Sequence, residues 1–481
     1  MSLRARRPVL AVATTSAVLV AAGLVAAPAA ATTATDPHWF AAQVTTRDVL
    51  QHLEALQEVA DEHGGTRASG TPGYDASGDY VQGRLEDAGY TVERQPFDFV
   101  HTETLAETLV VGGTPVPVTV MDYSPSTPEG GVTAPLRALP PDDATPGCEP
   151  ADFDAAVAGT IVLLGRGVCP FGDKQAHASA AGAVGVVVYN SEPGPLAGTL
   201  GAPVEGAPAG GVSQEDGAAL LARLAAAPAL PATLDLRQLR ADRTTFNLVA
   251  QTPQGDPDDV IMLGAHLDSV AEGPGINDNG TGSAGVLQTA LELADVAPTG
   301  NAVRFAWWGA EESGLLGSQH YVTGLPAEEQ AKITGYLNFD MIGSPNHVLG
   351  VYDADQSTHV APVAVPPGSE ALEQVFTDYF DGTAQPWVDS EFSGRSDYQG
   401  FIVAGIPAGG LFTGADEVKT EEQVALFGGT AGIAQDPNYH RPGDDLANVD
   451  RQALTTTSRA IAFATMSLAD DPTPLDLTDN G

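Results

Sequence analysis

The sequence predicts an α/β fold, a mixed and mostly parallel sheet flanked by helices, accompanied by a separate β-rich module. Three observations carry this. Beyond Asn247, apolar strand-length runs alternate with amphipathic helical segments, the pattern of a sheet covered on both faces. Between residues 115 and 241 the texture changes to Pro, Gly and Ala punctuating short strands. The length of 481 residues allows two or three domains, and 43% hydrophobic with 17% charged residues excludes collagen, coiled coils and disulfide-dense scaffolds.

Taken in order, the chain opens with Arg4, Arg6 and Arg7, an uncharged apolar run from Pro8 to Ala27, and Ala29-Ala30-Ala31. A cationic start, apolar middle and small-residue end predict a secretory signal peptide over 1–31, and so a secreted, extracellular protein. The run approaches the ~20 residues that cross a bilayer, so an uncleaved anchor is the alternative, although Thr14, Thr15 and Ser16 interrupt it. Val49, Leu50, Leu53, Leu56, Val59 and Ala60 recur at helical spacing; a second helix is expected over 74–88, then an extended segment to Val100. Within the module, 160–164 and 184–189 read as strands. Cys148 and Cys169 are the only cysteines, and export permits a disulfide between them worth about 3 kcal/mol. Farther on, 260–263, 303–308 and 336–342 read as buried strands, and 281–294, 422–434 and 452–468 as helices. The tail 471–481 is polar.

Lys and Arg total 21 against 62 Asp and Glu, a formal net charge of −41. Phosphate backbones and anionic lipid surfaces are bound through clustered cations, so nucleic acid and membrane partners are not expected. The charge fits a highly soluble surface.

The predicted strand ends carry residues that bind cations: His266 and Asp268, then Asn277-Asp278-Asn279, then Glu311-Glu312, then Asp340, with His440 following Tyr439. Ligand sites of α/β sheets form beyond the carboxyl ends of strands. Imidazole and carboxylate without thiolate favour zinc. Two His and three or four carboxylates exceed the needs of one tetrahedral zinc and suit two metals sharing a bridging carboxylate.

The series His266-Leu267-Asp268-Ser269, Gly275-Ile276-Asn277-Asp278-Asn279-Gly280, Trp308-Gly309-Ala310-Glu311-Glu312, Asn338-Phe339-Asp340-Met341 and Tyr439-His440 resembles the secreted co-catalytic di-zinc aminopeptidases, in order and in spacing. The segment from Cys148 through Arg166-Gly167, Cys169-Pro170-Phe171 and Lys174 to Tyr189-Asn190 resembles a protease-associated domain inserted into that enzyme. The resemblance implies a zinc-exopeptidase fold of phosphorylase/hydrolase-like type. Its peptidase domain would span 32–114 and 242–470, with an inserted α+β protease-associated domain over 115–241.

Position by position, the resemblance implies that His266 and Asp340 bind one zinc, that Glu312 and His440 bind the other, and that Asp278 bridges them. Asp268 would stand behind His266, its carboxylate accepting the second imidazole N–H. Glu311 would be the general base, and Tyr439 the donor to the oxyanion. Arg395 would lie by the substrate, while Met341, Gly394 and Phe412 resemble the lining of the pocket for the first side chain. The implied substrates are peptides or proteins with a free N-terminus, preferentially bulky and hydrophobic there, and the implied enzyme is a monomer. Some relatives hold a structural calcium, to which Asp444-Asp445 is a hint. Two alternatives share the scaffold: a glutaminyl cyclase with one zinc, and a receptor-like ectodomain without catalysis.

Overall fold

The computed structural model describes residues 35–296 and 299–470, so the expected signal segment 1–31 and the polar tail 471–481 lie outside the described residues. Helix Thr46–Glu62 starts where the Thr45 hydroxyl accepts the Asp48 N–H at 3.3 Å, and it buries Val49, Leu53, Leu56 and Ala60 on one face. Helix Pro72–Asp87 follows, with proline in its first turn and Thr71 as its cap.

The centre of the sheet is a parallel run in which Asn301–Trp308, Asp256–His266, Ile333–Asp340 and Ala408–Phe412 lie side by side. Antiparallel pairing enters on both flanks, at Gly350–Tyr352 and at Leu230–Gln251. The central strands are buried along most of their length, Asp256–Asp258 being the exposed start of one, and they separate two apolar clusters. Ile261, Leu263 and Ala265 pack into one with the final helix Arg451–Asp470, whereas Met262 packs into the other with helix Tyr398–Val403. That alternation is the period-two consequence of a strand covered on both faces.

Strand Leu230–Gln251 is 22 residues long and pairs along its length with Val92–Val111, from Val92 opposite Ala250 to Val111 opposite Ala232. Leu230–Gln251 crosses the expected end of the module at 241, and the ribbon is interrupted only by a register shift between Thr104 and Ala106. Its far half pairs with Val132–Ala138, which leads to Ile161–Gly165, Gly185–Tyr189 and Ala209–Val212. The pairing therefore joins module and peptidase part in one 14-stranded sheet among the described residues, although the module keeps its own apolar clusters. Cys148 and Cys169 are bonded to each other, with Cα atoms 5.8 Å apart. None of the described helices is long and apolar enough to cross a membrane.

Two local expectations fail. The helix expected over 422–434 is Glu421–Phe427, because Gly428 and Gly429 adopt φ of 73° and 83° and end it; the chain then turns back so that Val418 bridges Ala434. The strand expected to reach Ile342 stops at Asp340, where Met341 takes φ of 46°.

Candidate metal centre

Three parallel strands deliver the site at their carboxyl ends. His266 closes Asp256–His266, Asp340 closes Ile333–Asp340, and Glu311 and Glu312 follow Asn301–Trp308 across Gly309-Ala310. That crossing is tight. A Cβ on Gly309 would lie 2.6 Å from both the Phe246 carbonyl oxygen and the Tyr74 hydroxyl, so glycine is required there. Ala310, at φ 54°, is held by a 2.6 Å hydrogen bond from its N–H to Ser69 Oγ. Asp278 lies in the irregular turn that precedes helix Gly282–Ala294, and His440 comes from the loop before the final helix.

Two clusters of metal-binding side chains result: His266, Glu311 and Asp340, and Asp278, Glu312 and His440. Asp278 faces both, with Oδ1 3.2 Å from His266 Nε2 and Oδ2 3.2 Å from His440 Nε2. Asp340 Oδ1 is 3.4 Å from His266 Nε2, and Glu312 Oε2 is 3.0 Å from His440 Nε2. About 3.3 Å is the edge of a tetrahedron with the ~2.0 Å bonds of zinc to nitrogen and oxygen. Glu311 stands farther off, its Oε2 4.0 Å from His266 Nε2.

These carboxylates are buried, yet Asp278 Oδ2, Glu312 Oε1 and Asp340 Oδ1 have no hydrogen-bond partner. Burial, opposed by His266, pushes Glu311 well above the ordinary carboxylate range, and burial with the Asp278 charge lifts Glu312 to about 7. Orphaned, mutually repelling buried carboxylates beside imidazoles are the donor set that a divalent cation satisfies, and the residues present therefore fit zinc.

The other expected residues are placed unequally. His266 Nδ1 lies 3.1 Å from the Asp268 main-chain oxygen, not its carboxylate, which is 3.7 Å away and accepts the Glu311 N–H at 3.2 Å. Asp268 thus holds His266 through backbone and Glu311 through its side chain, a correction to the expected contact. The Tyr439 ring stacks on His440 with centroids 3.8 Å apart, and its hydroxyl is 3.4 Å from Arg395 Nη2. Arg395 also pairs with Asp416 at 3.2 Å. Met341, Phe412, Arg395 and Tyr439 line one cavity of about 270 Å³ with the metal-binding residues; Ser393 and Arg395 line it too, but Gly394 between them does not.

The Asp444-Asp445 pair has other work. Asp444 accepts the N–H groups of Asn277 and Asp278 at 2.8 and 3.0 Å and so fixes the turn that carries Asp278, while Asp445 caps a short helical turn through the Ala447 N–H. The residues that sequence reasoning missed all position others. Ser396 Oγ donates to Asp340 Oδ2 at 2.6 Å. Arg67, fully buried, donates to the carbonyls of Leu267, Pro274 and Gly275 and clamps the loop between His266 and Asp278. Ser396 directly follows Arg395, which the sequence did single out; Arg67 lies some 200 residues from its partners and has no local signal.

Comparison with known proteins agrees with this geometry. The profile of peptidase family M28 matches residues 247–465, and that of the PA domain matches 132–220. The chain is 43% identical over 436 residues to the probable lipoprotein aminopeptidase LpqL of Mycobacterium tuberculosis, covering 89% of this chain and 86% of that one. It is 45% identical over 426 residues to leucine aminopeptidase 2 of Trichophyton rubrum, covering 88% and 84%. Among solved structures it superposes on the aminopeptidase from Aneurinibacillus sp. strain AM-1 with a TM-score of 0.69 at 27% identity, over 90% of this chain and 96% of that one. The chain therefore belongs to peptidase family M28, as a zinc metallo-aminopeptidase that carries a PA domain.

Proposed function

We propose that the protein is an exported di-zinc aminopeptidase that removes bulky apolar residues, leucine among them, from peptides with a free N-terminus. The observation that carries this is the placement of Asp278, whose two oxygens each face a different histidine at 3.2 Å. His266 and Asp340 would hold one zinc, Glu312 and His440 the other, and Asp278 both. Zinc bound there supplies Lewis acidity, which activates water and polarises a carbonyl.

The chain's own residues do the rest. Glu311, anchored at its N–H by Asp268, takes the proton from the attacking water as the water oxygen bonds to the carbonyl carbon. It then returns that proton to the amine nitrogen as the C–N bond breaks. The Tyr439 hydroxyl, kept protonated by burial, donates to the oxygen on which charge develops, and Arg395 beside it adds positive potential. The carboxylates of Glu311 and Asp340 recognise the substrate's terminal ammonium. Its first side chain enters the 270 Å³ cavity, where Met341, Val348, Tyr352 and Phe412 favour an apolar group. The disulfide and the signal-like start of the sequence support export.

The test is elemental analysis of purified protein together with hydrolysis of leucyl-p-nitroanilide before chelation, after it and after zinc return. Two zinc per chain with activity lost and restored is the expected result. One zinc per chain, or no leucyl hydrolysis in the zinc-loaded protein, overturns the reading.

A further inference from the structure

On the side of Glu312 away from the apolar pocket lies a second and larger cavity, a groove of about 960 Å³, near the upper end of the ~300–1,000 Å³ of ligand clefts. Glu312 lines both, so the groove continues from the metal centre. It runs from the loop at Asp268–Glu272 along strand Val92–Val111 to Asp122 and Tyr123 of the module. Every residue from Phe97 to Thr104 lines it. Side chains of successive strand residues point to opposite faces, so a groove touching all of them follows the strand's edge rather than one face. Over 97–104 that strand pairs only with Leu230–Gln251 among the described residues, which leaves its other row of N–H and C=O groups unpaired. Such an edge is a template for an extended peptide.

The groove is also acidic. Asp98, Glu103, Asp122 and Glu272 present exposed carboxylates to it, against the single guanidinium of Arg240, which stacks over Tyr123 at 4.3 Å. His101 adds no charge at neutral pH, since burial and the nearby Arg243 hold it below its ordinary value. At the metal end, Asp268 is 1% exposed and keeps one carboxylate oxygen unpartnered.

We propose that this groove is the subsite for the departing part of the substrate, and that it selects peptides with Lys or Arg two to four residues beyond the scissile bond. The inference rests on the aminopeptidase reading, because only a substrate whose N-terminus is at the metals extends past Glu312 into the groove. Main-chain pairing with 97–104 binds any sequence there, and the carboxylates set the preference. The carboxylates are exposed, so their ion pairs with substrate weaken with salt.

The experiment compares zinc-loaded protein on Leu-Ala-Lys-Lys-Ala and Leu-Ala-Glu-Glu-Ala, with each rate normalised to leucyl-p-nitroanilide. The basic peptide is expected to have about a tenfold higher kcat/KM at low salt, mostly through KM, falling toward parity at high salt. E103Q/E272Q should reduce the ratio to about threefold or less. E54Q/E58Q, on the exposed face of helix Thr46–Glu62, removes the same charge outside the groove and should keep the ratio. Equal cleavage of the two peptides overturns the proposal, as does a preference that survives E103Q/E272Q or falls equally in E54Q/E58Q. Failure on the anilide overturns the aminopeptidase reading and this inference with it; cleavage of the anilide without a basic preference overturns this inference alone.

Discussion

In the module, the buried ionisable groups are few and each is matched. Asp235 meets Arg237 at 2.7 Å and accepts from Thr127, while the Lys174 ammonium donates to the Pro146 carbonyl beside the disulfide. At the other end of the same sheet, Asp268, Asp278, Glu312 and Asp340 crowd together, each with an oxygen that no hydrogen bond satisfies. A buried unmatched carboxylate costs free energy that folding alone does not recover. The contrast teaches that one sheet serves two purposes: the module is built to be stable, whereas the strand ends hold charge ready for cations and chemistry.

The strongest way to break this comparison is at Glu311. Glu311→Gln keeps the volume and removes a repelling charge, so kcat on leucyl-p-nitroanilide should fall by about 10²–10⁴-fold while thermal stability holds or rises. A variant that keeps near-normal kcat, or that loses stability instead, removes the distinction.

Removing both cysteines tests the other side. Cys148 and Cys169 are 21 residues apart, and the open chain should be less stable by about 3 kcal/mol in denaturant titration. Zinc content and turnover of the leucyl anilide should remain. Lost zinc in a folded variant would mean that the module supports the metal site directly.

A smaller effect sharpens the comparison inside the peptidase half. His52 is buried but matched, with Nδ1 2.7 Å from the Tyr80 hydroxyl and Nε2 2.9 Å from Gln288 Oε1. The amide oxygen only accepts, so Nε2 carries the proton and Nδ1 accepts from Tyr80. Burial lowers the His52 pKa to about 4 from an ordinary 6.5. The unfolded chain therefore binds this proton first as pH falls. The stability that neutral His52 contributes is complete above pH 6.5 and is lost as pH falls toward 4, by up to about 3 kcal/mol. The difference in unfolding free energy between wild type and His52→Gln, followed from pH 7.5 to 4.5, should shrink with acid; a constant difference would mean that His52 binds its proton equally well in both states.

Much of the fold was legible because burial on both faces leaves a local signature. Residues 260–263 are a continuous apolar run and 303–308 are apolar but for Arg304, and both are strands. The helix over 422–434 was misread because apolar spacing continued through 433 while Gly428-Gly429 ended the helix. The strand-end residues His266, Asp278, Glu311, Glu312, Asp340 and His440 were legible as a set, since order and spacing along the chain carry the resemblance. Their supports were not: Arg67 and Asp444 act through backbone carbonyls and N–H groups, which every sequence possesses.

The sequence by itself determined the alternation of strands and helices, the two cysteines of the disulfide, and the chemical types of the metal-binding side chains. Only the tertiary structure decided that Asp278 faces two histidines, that Asp268 reaches Glu311 by its carboxylate and His266 by its backbone, and that one ribbon joins both parts of the sheet and leaves an acidic edge beside the metals. The physical reason is range. Periodicity and capping act over a few residues, whereas distances between side chains on separate strands are set by packing of the whole sheet.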